Sequence, residues 1–532
     1  MMSIAQIIRR TGIVALTTLS LAAISAAEYA SQGVVLKSRV SLTDFGASAG
    51  NDCWGYVSPS GREYAIMGLR DRTGFVEITN PSSPVILTTI PHSSSTWSDI
   101  KVYRHYAYIV SEASGVGIQI VDLSDIDNGN VTLVKTLTSP GRSHNIIIDE
   151  IAGYLYTCGS NNGTGTTMCF SLADPANPVQ VGPASMTTNY MHDGIPVTYS
   201  TGPLAGKTLW FGFSESRGVD IYDFTNKANP VFIKRVTYPS IGYCHQGWIS
   251  EDKKYLYVDD ELDENNESFP TRSLIFNVED PYNAFFVGSF TSGLPAIDHN
   301  QYVDDGFAFQ ANYRSGLRIF DVGKNPTAPV QVGFFDTYPA DDNRGFNGAW
   351  STYPYFPSGT VIVSDINRGL FILDASEALT RTRWINSLNV NVGRISSGGL
   401  SDIVNDDNSY LTLIPHTQQN VGRTVVSIDA LTDTFDLQPD KIQIHVRAKG
   451  NIPGYDQQIE IKDFITNDFV LLSNTPLGVA EGHTVVDVTQ NLARYVNPAD
   501  KQVVVRVRYT PSINNVSRLI VDIDQIEVKI TR

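Results

Sequence analysis

Hydrophobic and polar residues alternate along most of this chain in short runs, each bounded by Gly, Pro, Asn or Asp. The stretch Asp298–Phe335 shows the unit most clearly. Asp-His-Asn-Gln-Tyr-Val (298–303) leads to a turn at Asp304-Asp305-Gly306 and then Phe-Ala-Phe-Gln-Ala-Asn (307–312). A loop holding Arg314 and Gly316 follows, then Leu-Arg-Ile-Phe-Asp (317–321), Pro326-Thr-Ala-Pro329 and Val-Gln-Val-Gly-Phe-Phe (330–335). Period-two runs of β-branched and aromatic residues predict strands. Four antiparallel strands in about 40 residues predict one blade of a β-propeller.

The third strand of this unit recurs at Gly74-Phe-Val-Glu-Ile, Gly117-Ile-Gln-Ile-Val-Asp122, Met168-Cys-Phe-Ser-Leu, Gly218-Val-Asp-Ile-Tyr-Asp223, Ser273-Leu-Ile-Phe-Asn and Gly369-Leu-Phe-Ile-Leu-Asp374. With the copy at Gly316 there are seven, spaced by roughly 43 to 55 residues, which predicts a seven-bladed ring. The seventh copy stops after its third strand, while residues 33–42 read as an orphan fourth strand. The expectation is that this N-terminal strand completes blade 7 and closes the ring, which removes exposed sheet edges.

Beyond about Trp384 the repeat ends. Runs such as Lys441-Ile-Gln-Ile-His-Val-Arg, Thr484-Val-Val-Asp-Val and Gln502-Val-Val-Val-Arg-Val-Arg predict a β-sandwich over 384–532. The whole chain is therefore read as all-β: residues 1–27 as an export segment, 28–380 as the propeller, and 384–532 as the sandwich. In the first segment Arg9 and Arg10 precede an apolar run from Ile13 to Ile24, and Ser25-Ala-Ala27 offers a cleavage site. No second apolar stretch has spanning length, so no transmembrane segment is expected, and the location expected is secreted: periplasmic, extracellular or cell surface.

Composition changes the picture in one respect. Among 532 residues, 55 acids face 39 bases for a formal net charge of −16. Phosphate binding requires a basic surface, so a nucleic-acid partner is not expected.

The strand with Ile-x-Asp followed by Pro-x-x-Pro resembles the LVIVD repeat of bacterial surface proteins. The words Trp97-Ser-Asp-Ile-Lys-Val-Tyr, Ser143-His-Asn-Ile, Tyr243-Cys-His-Gln-Gly-Trp, Asp298-His-Asn and Gly348-Ala-Trp-Ser-Thr-Tyr-Pro-Tyr-Phe-Pro resemble the "choice-of-anchor B" family over about residues 30–380. That resemblance implies a secreted or surface-displayed propeller and no established reaction. The C-terminal pattern is similar, without a specific motif, to jelly-roll modules of secreted bacterial proteins. No apolar anchor tail is expected before Lys529-Ile-Thr-Arg532, a departure from the anchored pattern.

Candidate chemistry lies where the inner strands begin, aligned at Cys53, Ser98, His144, His192, His245, His299 and Asn347. Four consecutive blades thus carry His at one register. Loops after the second strands return to the same channel rim, bringing Glu112, Glu215 with Arg217, Glu261, Arg314, and Asp365 with Arg368. Asp99 and Asp193 follow the register position in their own strands. Imidazole and carboxylate are ligands for a divalent metal: zinc or copper at the histidines, with Glu215 or Glu261 completing the shell, or calcium at acidic loops. The same side chains serve equally as hydrogen-bonding caps at a crowded channel mouth. Two function classes follow. One is a scaffold whose rim binds a surface or extracellular ligand; the other is a metal-dependent hydrolase or oxidoreductase with a His/carboxylate site.

Two further expectations concern local chemistry. Cys158 and Cys169 fall on adjacent strands of blade 3, where a disulfide suits an oxidising compartment, whereas Cys53 and Cys244 lie across the ring. The acidic run Asp259–Glu267 lacks the spacing of an EF-hand and reads as a solvated loop.

Overall fold

A computed structural model describes residues 29–160, 166–404, 407–415, 425–434, 439–513 and 518–531. The expected export segment, 1–27, lies outside the described residues. The chain divides into two compact units, one ending at Ala378 and the other beginning at Leu379.

The first unit is a β-propeller of seven antiparallel sheets. Its innermost strands are Gly50–Val57, Ser98–Tyr103, Asn145–Asp149, Asp193–Thr198, Cys244–Ile249, Asn300–Asp304 and Ala349–Tyr353. Each touches the next, and Ala349–Tyr353 touches Gly50–Val57, so the ring is closed. The N-terminal strand Val35–Val40 pairs with Gly369–Asp374 as the outer strand of blade 7. Just before it, Ser31–Gln32 pairs with Phe334 and Phe335 at the edge of blade 6, so one short segment ties two blades together.

The recurring sequence words have local physical causes. Gly218, Gly316 and Gly369 open their third strands with φ of +94°, +72° and +96°. A Cβ there would sit 2.3–2.6 Å from a carbonyl oxygen of the fourth strand, so only glycine fits. The Asp that ends the strand caps the turn. Asp122, Asp223 and Asp374 accept from the backbone N–H two residues on, at 2.8–3.0 Å. Half of the repeat signature is therefore turn chemistry rather than a binding motif.

The core lies between blades. Val40, Met67 and Ile372 pack in one such layer, Ile66, Ile100 and Ile109 in the next, and Phe211, Val258 and Leu274 in another. Where blade 7 meets blade 6, Tyr29 packs on Phe335 and edge-on to Phe371. The four cysteines are free and buried. Cys169 lies opposite Tyr156 rather than Cys158, because the pairing is offset by two residues. Cys158 meets the Thr167 hydroxyl instead, and the expected disulfide does not form.

In the second unit, two sheets share one buried core. One sheet holds Arg381–Trp384, Arg394–Ser397, Leu411–Ile414, Lys441–Gly450, Gly482–Val488 and Val521–Thr531; the other holds Ser387–Val392, Val426–Asp433, Tyr455–Lys462, Phe469–Pro476 and Gln502–Pro511. Strict alternation in Lys441–Gly450 buries Ile442, Ile444, Val446 and Ala448 on one face. Among the described residues, no helix is long and apolar enough to cross a membrane.

Candidate metal centre at the channel mouth

His144, His192, His245 and His299 form a continuous arc across blades 3 to 6, with successive ring centroids 4.2, 4.1 and 4.5 Å apart. Equal register in neighbouring blades turns each side chain toward one axis. The rings are held by the blade that follows: Nδ1 of His192 donates to the His245 carbonyl at 3.1 Å, and Nδ1 of His245 to the His299 carbonyl at 2.8 Å. His299 Nδ1 donates to the Trp350 carbonyl at 2.6 Å. A carbonyl can only accept, so each Nδ1 carries the proton and each Nε2 keeps its lone pair. Burial pushes His192 and His245 well below the ordinary imidazole range and His299 down to about 4. Neutral imidazoles with free Nε2 lone pairs are what a transition metal binds.

Blade 7 departs from the expected alignment. The carbonyl that receives His299 belongs to Trp350, not Asn347, because a bulge at Trp350 interrupts the pairing between Ala349 and Ser351. Trp350 fills the register position as a ring with no ligand atom. Asn347 instead accepts from Arg314 at 2.9 Å.

Glu261 comes from the loop after the second strand of blade 5 and reaches between two imidazoles. Its carboxylate oxygens stand 3.7 Å from His245 Nε2 and 3.9 Å from His299 Nε2. The Tyr313 hydroxyl donates to Oε1 at 2.6 Å and fixes the carboxylate in place. Burial raises the Glu261 carboxyl above its usual range, while the Tyr313 hydrogen bond opposes that rise. Ligand atoms of His245, Glu261 and His299 all lie within 4.8 Å of one another. Separations of 3.7–3.9 Å are too long for a hydrogen bond. They suit two atoms that share one ion, each at about 2.0–2.2 Å. Beside them is a cavity of about 10 Å³ lined by the four histidines, Asn300 and Trp350, room for one water-sized ligand.

The other expected site residues divide. Glu112 accepts from His144 Nδ1 at 2.6 Å, and that bond holds its carboxyl below the usual range. His144 is held by a carboxylate rather than a carbonyl, and its ligand atoms fall outside the group formed by His245, Glu261 and His299. Glu215 does not join this group; its backbone bridges Cys244 and its carboxylate lies beside the Tyr243 hydroxyl.

Asp99 and Asp193 are engaged with groups other than the imidazoles. Asp99 is buried and Asp193 half-buried, and Lys101 Nζ meets Asp99 at 2.6 Å and Asp52 at 3.4 Å above the Trp54 ring. Burial lifts the Asp193 carboxyl to about 7 and Asp99 well above its ordinary value.

Asp365 is fully buried and caps its own turn, accepting from the Asn367 and Arg368 N–H groups at 2.8 Å. Arg314 pairs with Asp341, Arg368 bonds the Tyr29 hydroxyl at 3.0 Å, and Arg217 is exposed. The expected ring of acids and guanidinia facing the histidines is therefore reduced to Glu261 and Glu112.

Sequence reasoning missed Tyr313, Trp350, Asp52 and Lys101. Lys101 was detectable: two residues from Asp99 on one strand, it must share that face. Tyr313 and Trp350 carry no such signal, since a loop conformation and a bulge place them.

No protein-family model matches the chain, and no curated protein is similar to it in sequence. Several solved structures are similar in shape. A structure of U3-55K has 8% identity, covers 64% of this chain and 98% of its own, and gives a TM-score of 0.44. The Saccharomyces cerevisiae Sqt1 structure has 8% identity, coverage of 62% and 95%, and the same score. A functionally unknown protein from Desulfotomaculum acetoxidans DSM 771 has 13% identity, coverage of 55% and 87%, and a TM-score of 0.38.

Proposed function

We propose that this protein is an exported β-propeller of the LVIVD-repeat, choice-of-anchor B kind that binds a surface or extracellular ligand at its channel mouth. In this reading a divalent transition metal held by His245, His299 and Glu261 is the group that meets the ligand. The observation that carries it is the placement of the Glu261 carboxylate between two Nε2 atoms whose Nδ1 protons are already committed to backbone. Two nitrogens and a carboxylate favour zinc or copper over harder ions. The Tyr313 hydroxyl and the next blade's carbonyls orient the ligands from behind, as outer partners do in metal sites. The second unit is read as a jelly-roll-like sandwich that serves as a structural or interaction module.

The second reading is a metal-dependent enzyme. What favours it is the cavity of about 10 Å³ beside the imidazoles, which leaves a water-sized position next to the ion. The deciding experiment is elemental analysis of protein purified without a His-tag, alongside His245→Ala and Glu261→Gln. About one zinc or copper per chain in the parent and its loss in both variants is expected. A metal-free parent, or variants that hold as much metal as the parent, overturns the metal and leaves the histidines as caps. Export is checked separately by mass spectrometry, which should find a mature start near Glu28.

A further inference from the structure

The run Asp259–Glu267 does not behave as a solvated loop. Asp259 and Asp260 end the second strand of blade 5, and Asp263–Glu267 folds into a single helical turn. Asp259, Asp260, Asp263 and Glu264 are wholly buried, and so is Asp298, which leads into the inner strand of blade 6. One side chain among the five is fully engaged. Asp260 accepts from the Gly242 and Tyr243 N–H groups and from the Tyr238 hydroxyl at 2.5–2.8 Å.

The others are not satisfied. Oδ1 of Asp259 accepts from the Ser273 hydroxyl and the Gln301 amide, each at 2.7 Å, but its Oδ2 has no donor. Asp263 meets Arg272 through Oδ2 at 2.5 Å and leaves Oδ1 without one. Both oxygens of Asp298 lack donors, and those of Glu264 close no hydrogen bond, with only the backbone N–H groups of Glu264 and Arg272 nearby. Six carboxylate oxygens are thus buried without a hydrogen-bond partner. Arg272 is the guanidinium in contact, and it is already divided between Asp263 and the carbonyls of Pro239 and Ser240. Asp259 lies within hydrogen-bond reach of Asp298, Asp263 lies within reach of Glu264, and Asp298 feels all of these charges.

A buried carboxylate without a partner costs several kcal/mol, so four carboxylates that share one guanidinium require further positive charge among them. We propose that Asp259, Asp263, Glu264 and Asp298 form a calcium site. Six free oxygens match the six to eight that calcium takes, and every donor is a hard oxygen with no nitrogen or sulfur, which argues against zinc and copper. The site is distinct from the imidazole group and does not depend on it. It does brace it, because Asp298 precedes His299 directly and Glu261 lies within the same acidic loop.

The test uses the full chain stripped with a chelator, and calcium alone as the ligand, with magnesium as comparison. Titration calorimetry and thermal unfolding are measured on the parent, Asp298→Asn and Glu264→Gln. Terbium luminescence sensitised by Tyr238, whose hydroxyl touches Asp260, reports the same site without any mutation. The expected result is calcium-displaceable terbium in the parent, a calcium-dependent rise in melting temperature, and at least a tenfold loss of affinity in both variants. A folded, stripped parent that takes up no calcium and gives no terbium signal overturns the proposal and leaves the carboxyls sharing protons. Variants that bind calcium as the parent does overturn it as well. Zinc content reports only on His245, His299 and Glu261, so failure of either site is distinguishable from failure of the other.

Discussion

Two buried titratable clusters lie within a few residues of one another in blades 5 and 6, and they are satisfied in opposite ways. In the imidazole arc three of the four rings are bonded by the backbone of the next blade, so the rotational repeat itself supplies the partner. The carboxyl cluster joins an insertion of blade 5 to Asp298 of blade 6, and beyond the Gln301 amide on Asp259 the next blade brings it another acid rather than a donor. Repetition satisfies a polar group by symmetry, whereas an insertion must find its charge partner from outside. The imidazoles are therefore built into the protein's own stability, and the carboxyls are built to await a cation.

The sharpest way to break this contrast is Asp260→Ala. Asp260 is the acid in the loop whose partners all come from the protein, and its loss strands two backbone N–H groups and a tyrosine hydroxyl. Urea unfolding should show a loss of about 3–5 kcal/mol with or without calcium. A calcium-dependent loss would instead place Asp260 with the unsatisfied acids.

A smaller effect, about 2–3 kcal/mol, is expected for His299→Ala. It removes the bond to Trp350 and the ring contacts with Tyr313 and Trp350. Equal stability of variant and parent would mean that the arc carries no structural load.

The pH dependence should separate the clusters by sign in metal-free protein. The imidazoles of His192, His245 and His299 are depressed below the unfolded value of about 6.5, so the folded state binds fewer protons there. Their contribution is present above about pH 6.5 and is lost as pH falls toward 4, on the order of 1 kcal/mol per pH unit for each ring. Asp259 and Glu264 are raised to about 8 and about 9, so their folded state binds more protons. Their contribution is present below about pH 4 and is lost as pH rises through 8 and 9. Calcium should abolish the alkaline loss and leave the acid one. Urea midpoints from pH 4.5 to 9, with and without calcium, check both; an alkaline limb unchanged by calcium would sink the distinction.

The smallest effect is expected for Asp298→Asn in chelator. Replacing an unpartnered buried carboxyl with an amide of the same shape should change stability by no more than about 0.5 kcal/mol, or raise it. A large loss would show that Asp298 has a protein partner after all.

The sequence by itself determined the ring. Alternation placed the strands, the repeated Gly and Asp marked where third strands open and close, and the orphan run at residues 33–42 matched the missing strand of blade 7. Equal register of four histidines was also legible, because rotation about one axis turns equal positions to a common centre. Tertiary structure alone decided which carboxylate meets them, since Glu261 reaches the arc through a loop conformation fixed by Tyr313, while Glu215 turns to the Tyr243 hydroxyl. It alone placed Trp350 in the seventh position, through a bulge that shifts the register by what no alternation records. It also decided the fate of the acidic run. Charge density predicts exposure when a segment is weighed alone, but Asp298 arrives from the next blade, and burial is a property of everything that packs against a residue rather than of the residue itself.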